Sequence, residues 1–189
     1  MFVKKNICSY KRTDILKMEH IKFLECFFKE PSRWYHLREY ARINRISPST
    51  AITYLNEFCK NGLLKKKKEH NLSLYKGEDE SENFRDMKIF WNIQEIKNSG
   101  VLNFLEKEFK PAGIILFGSV SKGLDSKESD IDLFIMSSIK REINLEKFEK
   151  LLKRKIQIFV FNQKELKEKK ELSNNILNGI VLKGYIEVF

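Results

Sequence analysis

Apolar residues at helical spacing predict three helices in the first third of the chain. One is predicted over 15–29, where Glu30-Pro31 ends it, and a short one over 37–43. The third begins at Ser47-Pro48, because serine is a good N-cap and proline fits the first helical position. Its apolar stripe is expected to face a core and consists of Ala51, Ile52, Leu55, Phe58 and Cys59.

A hairpin and a long helix are predicted next. The runs 63–68 and 72–76 read as two strands around Glu69-His70-Asn71, and the segment 77–81 is acidic and polar, as expected of a boundary. Apolar residues then keep helical spacing up to Ser99-Gly100. This helix is expected to join two domains, to form a homodimer contact, or both. The predicted organisation is therefore a domain over 1–78, a linking helix over 79–100 and a domain over 101–189.

The last part of the chain mixes predicted helices with short apolar strands. A helix over 101–109 precedes a strand over 113–117, and further strands are predicted over 130–135 and 156–161, with a helix around 145–152 between them. The charged stretch 164–171 is expected to be a helix with a solvated face, and 185–189 a last strand. The predicted fold class is α+β.

The net charge of +10 is concentrated at the N-terminal end. Residues 1–76 contain 17 Lys and Arg against 7 Asp and Glu, whereas residues 77–189 contain 19 of each. A basic module followed by a neutral one indicates that the first module binds a polyanion. The alternative is that a lysine-rich composition is unevenly distributed by chance.

The cysteines and the hydrophobic runs bear on location. Three cysteines without C-x-x-C spacing, and three histidines without ligand spacing, favour free thiols in a reducing cytoplasm over a zinc site. No apolar run approaches the roughly 20 residues that cross a bilayer, and the N-terminus lacks a secretory pattern. We therefore expect a cytoplasmic protein without a membrane contact.

Polar residues on the third helix and lysines on the hairpin are candidates for DNA binding. Ser49, Thr50, Thr53 and Tyr54 occupy the first turns of the helix, where a recognition helix reaches bases and phosphates. Lys65, Lys66, Lys67 and Lys68 would contact phosphates and add affinity without sequence choice. Two alternatives remain: a lysine run that discourages edge aggregation, and a helix-turn-helix that contacts protein.

The N-terminal segment resembles a known DNA-binding fold. The stretches Trp34–Glu39, Ser47–Thr50 and Leu63–Lys65, in the order helix, helix, helix, hairpin, are similar to the winged helix-turn-helix domains of prokaryotic transcription regulators. The resemblance covers about residues 14–77 and implies that DNA is a partner.

Two short motifs in the C-terminal segment carry the chemistry. Gly118-Ser119 is predicted to form the turn from an apolar strand to a helix, where the backbone N–H groups at the start of the helix and a close approach suit a phosphate. Asp130 and Asp132 begin the next strand and point to the same face, where paired carboxylates favour a cation between them. Mg²⁺ is the hard, oxygen-seeking ion that fits.

Gly118-Ser119, ten residues and then Asp130-Ile131-Asp132 resemble the signature of the DNA polymerase β nucleotidyltransferase superfamily, in particular its minimal bacterial and archaeal members. The resemblance implies a mixed sheet flanked by helices, Mg²⁺ on Asp130 and Asp132 as catalytic residues, and nucleoside triphosphate, expected to be ATP, at Gly118 and Ser119. It also implies nucleotidyl transfer to a hydroxyl, sometimes on a toxin-like partner protein.

The chain departs from this family at one position. Catalytic members carry a third acid on a later strand, and the matching residue here is Gln157, which cannot accept a proton near neutral pH. Two readings follow: an Mg²⁺-dependent nucleotidyltransferase whose base comes from elsewhere, or a transcription or antitoxin-like regulator whose degenerate domain binds only nucleotide or a partner protein.

Overall fold

The computed structural model describes residues 18–185 and divides the chain into two compact units, with the boundary between Glu78 and Asp79. No helix in this described range is long and apolar enough to span a membrane. Ile15, which was expected in the first helix, and residues 186–189, which were expected in a last strand, lie outside the described residues.

The first unit combines short helices with a small antiparallel sheet. Its helices are α1 (Met18–Ile21), α2 (Glu25–Lys29), α3 (Leu37–Ile43) and α4 (Pro48–Lys60), with a 3-10 turn at Lys22–Leu24 between α1 and α2. Its strands are β1 (Tyr35–His36), β2 (Leu64–Glu69) and β3 (Leu72–Gly77), in the order β1-β3-β2. The expected single helix over 15–29 is thus interrupted by a tighter turn.

Helix α4 begins where the sequence predicts, because the Ser47 side chain accepts a hydrogen bond from the backbone N–H of Thr50 at 3.1 Å. Ala51, Leu55 and Phe58 are buried, but Ile52 is 41% exposed. The predicted apolar stripe was therefore too wide: Ile52 follows Ala51 by one position and lies outside the narrow buried face.

The hairpin between β2 and β3 turns at His70 and Asn71, which both have positive φ (46° and 62°). Two consecutive left-handed residues are typical of the two-residue turns whose twist matches that of the strands. Glu69 pairs with Leu72 directly across this turn.

The second unit is a mixed α+β domain. It contains α5 (Glu82–Ser99), α6 (Val101–Phe109), β4 (Gly113–Phe117), β5 (Ile131–Met136), α7 (Glu146–Leu152), β6 (Ile156–Phe161), α8 (Gln163–Glu168), α9 (Lys170–Leu177) and β7 (Ile180–Gly184). The sheet order is β6-β5-β4-β7, with β5 and β6 parallel and the other pairs antiparallel. Helix α5, expected as a linker, packs here against α6 and α7.

The two faces of this sheet have different covers. Ile114, Leu116, Leu133 and Ile135 belong to a core shared with residues of α5, α6 and α7. The opposite face contributes Ile115, Phe117, Phe134 and Met136 to a smaller core with Leu166 of α8 and Ile176 of α9. Helices therefore flank the mixed sheet on both faces.

The end of the described chain corrects a further expectation. The stretch 164–171 is divided between α8 and α9, whose fully buried Leu166 and Ile176 cover the sheet. This stretch is therefore not simply a solvated helix, because one buried leucine among charged residues is enough to anchor the short helix α8 to the sheet. The last described strand is β7, which precedes the expected strand at 185–189.

Candidate functional site

Gly118 brings the end of β4 against a carboxylate. Its φ of +72° is a conformation that suits glycine. A Cβ atom at this position would lie 2.1 Å from Oδ2 of Asp132, so any larger residue would displace that side chain. The glycine turn and the aspartate strand, separated in sequence, are in direct contact.

The strand register produces this contact. Phe117 is the antiparallel partner of Asp132, and Asp130 immediately precedes β5 two residues away. Because side chains two apart share a face of a strand, both carboxylates lie on the Phe117 face of the sheet. This is the face that α8 and α9 cover further along.

The electrostatics of the pair reflect crowding of like charges. Partial burial raises the pKa of Asp132, and the neighbouring Asp130 carboxylate raises it further. The guanidinium of Arg154 acts in the opposite direction and lowers the pKa of Asp132. Ionisation of both aspartates together is therefore disfavoured unless a cation lies nearby.

Gln157 lies beside the two aspartates. The parallel register pairs it with Asp132, and its Nε2 donates a hydrogen bond to Oδ2 of Asp130. Within the described range, no group of three or more His, Cys, Asp or Glu side chains is placed to hold a metal ion. The third position of the cluster is thus an amide.

Two carboxylates and an amide fit one divalent cation. A cation between Asp130 and Asp132 would relieve the repulsion that raises the pKa of Asp132. The Gln157 amide has an oxygen that a ligand-bound state could use after rotation. Oxygen donors of this kind suit Mg²⁺.

The turn after Gly118-Ser119 is shorter than predicted. The sequence indicated a helix, whereas the structure has a three-residue 3-10 turn, Val120–Lys122, that ends at Gly123. A Cβ on Gly123 would approach the Arg85 carbonyl oxygen to 2.7 Å, because the loop passes close to α5. The Gly118 carbonyl oxygen accepts a hydrogen bond from the Ser121 hydroxyl at 2.9 Å.

An open cleft of about 480 Å³ lies over this turn. Phe117 and Phe159, whose ring centroids are 5.3 Å apart, form an aromatic pair in its lining. The other lining residues are Gly118, Ser119, Lys122, Leu124, Asp132 and Asn175. The cleft therefore combines an apolar surface, a cation and a carboxylate.

Lys122 and Asn175 were not predicted as site residues. Lys122 follows Ser119 by three positions in the same short stretch, so a basic residue there could have been included from the sequence. Asn175 comes from α9, and nothing local in the sequence indicates that this helix reaches the cleft.

The candidate DNA-binding residues of α4 are divided by the structure. Ser49, Thr50 and Thr53 are exposed. The ring of Tyr54 instead stacks on Phe23 at 4.5 Å and lies edge-on to His20 at 4.8 Å. Tyr54 thus takes part in the packing of the first unit while it stays half-exposed, and its contact with DNA remains a prediction.

The four lysines of β2 do not form one row. Alternation along the strand places Lys65 and Lys67 on one face and Lys66 and Lys68 on the other. Lys65 and Lys67 form ion pairs with Glu78 (2.6 Å) and Glu69 (2.7 Å). One flat surface cannot contact all four side chains.

Lys67 also lies over the ring of Trp34, 4.6 Å from its centroid, and Lys66 lies 5.5 Å from the ring centroid of Tyr75.

Three exposed arginines of the first unit were not predicted as candidates for DNA binding. They lie on α3 and on the turn to α4: Arg38, Arg42 and Arg45.

Fold and site together define an α+β domain in which a glycine turn faces paired carboxylates at one end of a mixed sheet. Residues 99–182 match the protein family described as nucleotidyltransferase domain, and this segment contains the turn, both aspartates and Gln157. The match supports a nucleotidyltransferase in the second unit. No curated protein and no solved structure matches the chain significantly.

Proposed function

We propose that the second unit binds a Mg²⁺–nucleoside triphosphate complex, with ATP as the expected nucleotide, and transfers its nucleoside monophosphate to a hydroxyl group. One observation carries the proposal: the Asp132 carboxylate lies against Gly118. A glycine turn of the kind that binds phosphate and a pair of carboxylates therefore share one site. The matched family supports nucleotidyl transfer in general.

Each residue has a defined task in this proposal. Gly118 and Ser119 bind phosphate oxygens through the backbone and the hydroxyl, and Lys122 adds a positive charge at the same cleft. Asp130 and Asp132 hold the metal ion, which when bound neutralises phosphate charge and orients the reacting oxygens. The partly exposed ring of Phe159, which packs against buried Phe117, offers a surface for the base.

The proton of the acceptor hydroxyl has no acceptor at position 157. Gln157 is an amide, and nearby Asp125 is buried in an ion pair with Arg154 at 3.1 Å. The base in this proposal comes from the acceptor molecule, from a partner, or from a carboxylate elsewhere in the chain. The same observation favours a second candidate function, in which the unit binds nucleotide without transfer and acts as a sensor in a regulator.

A transfer assay distinguishes these two functions. The full chain is incubated with each of the four nucleoside triphosphates labelled at the α-phosphate, with Mg²⁺ and a cell lysate. We expect label in an acceptor with the wild-type chain and none with Asp130→Ala/Asp132→Ala. Nucleotide binding without transfer would select the sensor, and transfer by the double variant would remove both aspartates from the reaction.

We further propose that the first unit is a winged helix-turn-helix that binds DNA. Helices α3 and α4 are the helix-turn-helix, and the β2–β3 hairpin is the wing. The charge distribution supports this function, as do exposed Ser49, Thr50 and Thr53 on the first turns of α4. The exposed Arg38 and Arg42 add positive charge on α3.

DNA binding is tested with the full chain and a fluorescent duplex over a range of salt concentrations. Arg38→Ala/Arg42→Ala should weaken binding and reduce the slope of log K against log salt by about 0.9 for each phosphate that the variant no longer neutralises. Lys150→Ala, which removes an exposed cation from α7, is the control. Equal slopes for all three proteins would contradict a DNA contact by α3.

Three expectations from the sequence remain predictions: the homodimer, the toxin-like partner protein and the cytoplasmic location.

A further inference from the structure

A buried charge cluster lies behind the candidate metal site. The side chain of Asp125 is 4% exposed, that of Lys88 1% and that of Arg154 11%. Nη1 of Arg154 donates to Oδ2 of Asp125 at 3.1 Å, and Nδ2 of Asn92 donates to Oδ1 at 3.0 Å. The Lys88 ammonium donates to the backbone carbonyl of Asp125 and lies 3.6 Å from its Oδ1.

The cluster joins three separate parts of the second unit. Lys88 and Asn92 lie one turn apart on α5, Asp125 lies in the loop after the glycine turn, and Arg154 lies just before β6. All three parts converge on one carboxylate. The loop between Gly123 and β5 is therefore attached both to a helix and to the start of a neighbouring strand.

Arg154 also contacts the residue that precedes Asp130. Its Nε donates to the backbone carbonyl oxygen of Ser129 at 2.7 Å. The turn between the two attachment points is closed by the Ser126 N–H, which donates to the Ser129 hydroxyl at 2.9 Å. One guanidinium thus holds both ends of the segment 125–129, directly before the first candidate metal ligand.

Two cations around one buried anion stabilise a fold poorly, because the cost of removing three charges from water opposes their attraction. Burial lowers the pKa of Lys88, an effect that the Asp125 carboxylate opposes. The Nη2 atom of Arg154 is buried and has no hydrogen-bond partner within residues 18–185. Because apolar residues often replace buried ion pairs without loss of stability, the arrangement calls for a role besides stability.

We infer that Arg154, held by Asp125, is a positioning residue that fixes Asp130 beside Asp132 for binding of a divalent cation. The inference rests on the metal site of the proposed function. Arg154 acts through the Ser129 carbonyl and does not touch the cation.

The sign of the effect on cation binding separates positioning from charge. A positive charge near a cation site repels the cation, so loss of the Arg154 charge alone would tighten cation binding. Loss of positioning weakens it, and loss of an outer-shell partner typically costs about 10–100-fold in metal affinity. Arg154→Lys keeps the charge but cannot bond Asp125 and Ser129 as a fork.

The experiment titrates the full chain with Mn²⁺ alone and measures free Mn²⁺ by electron paramagnetic resonance. Wild type is compared with Arg154→Met, Arg154→Lys and the control Lys150→Met, which removes an exposed charge from the same unit. Urea unfolding gives the folded fraction of each protein. Hydrogen exchange of the amides 126–130 is measured without metal.

We expect about 10–100-fold weaker Mn²⁺ binding per folded molecule in both Arg154 variants, faster exchange at 126–130, and no change in Lys150→Met. Unchanged or tighter binding in the variants overturns the inference and leaves the proposed function intact. If Arg154→Met does not fold, Arg154→Lys decides. If the wild-type protein does not bind Mn²⁺, the proposed metal site is contradicted. If hydrogen exchange of the amides 126–130 is unchanged in the Arg154 variants, that result alone contradicts the positioning role.

Discussion

Replacement of Gly118 by alanine separates backbone strain from displacement of a site residue. The added Cβ would lie 2.1 Å from Asp132 Oδ2, where nonbonded atoms normally lie about 3.5 Å apart. The carboxylate must therefore move by roughly 1.4 Å. Gly100 is a matched control, because it has a similar φ of +79° and a Cβ there would meet nothing within 4 Å.

Both alanine variants carry the strain of a left-handed residue, about 1–2 kcal/mol, which lowers the melting temperature by about 4–8 °C per kcal/mol in a domain of this size. Only Gly118→Ala displaces the carboxylate of a proposed metal ligand. Loss of the groups that merely orient such ligands already lowers metal affinity by about 10–100-fold. At ATP 100-fold above the wild-type Kd, stabilisation by Mg²⁺–ATP is about 2.7 kcal/mol, and a 100-fold weaker Kd reduces it to about 0.4 kcal/mol.

The assay is thermal unfolding of each full-length protein with Mg²⁺, with and without ATP. Gly100→Ala should show the wild-type increase in melting temperature on addition of ATP, from a lower starting value. Gly118→Ala should lose most of that increase. If Gly118→Ala responds to Mg²⁺–ATP as fully as Gly100→Ala does, contact between the turn and Asp132 is not needed for nucleotide binding, and the reasoning is refuted.

Three further predictions concern single groups. Because the pKa of Asp132 is raised, ionisation of this carboxyl group destabilises the metal-free fold as pH rises above about 4. Asp132→Asn should therefore resist urea unfolding better than wild type in EDTA at pH 7. If the variant is still the more stable protein at a pH below the wild-type pKa of Asp132, ionisation of Asp132 is not the cause. Lys66→Ala/Lys68→Ala should flatten the salt dependence of duplex binding more than Lys65→Ala/Lys67→Ala, because Lys65 and Lys67 already pair with Glu78 and Glu69. Binding is measured by fluorescence anisotropy at several salt concentrations. Equal slopes of log K against log salt for the two variants would argue against a DNA contact by only one face of the hairpin. Gln157→Asp should increase label transfer by about 10²–10⁴-fold if the missing base limits the rate, and slower transfer would place the base elsewhere.

Local sequence was enough for the centre of the second unit. Five consecutive apolar residues predicted β4, and the spacing of Asp130 and Asp132 placed both on one face of β5. Two periodicities, strand alternation and helical spacing, carry this information because they depend only on neighbours in the chain. The position of Gln157 beside the pair required the family resemblance in addition.

Features that depend on distant partners were missed. The bonds from Lys88 and Asn92 to Asp125 span 37 and 33 residues, and no local pattern marks such pairs. Tyr54 looked like a surface residue from its place on α4, but its ring stacks on Phe23. Helix α9 was hidden in a polar stretch, since its anchor to the sheet is mainly one buried isoleucine, Ile176.

The central claim is that Gly118, Ser119, Asp130 and Asp132 form one metal–nucleotide site. Calorimetric titration of the full chain with ATP, in Mg²⁺ and in EDTA, tests it most directly. We expect saturable binding that requires Mg²⁺ in the wild type and is lost in Asp130→Ala/Asp132→Ala. ATP binding of equal affinity with and without Mg²⁺, or equal binding by the double variant, would contradict the claim.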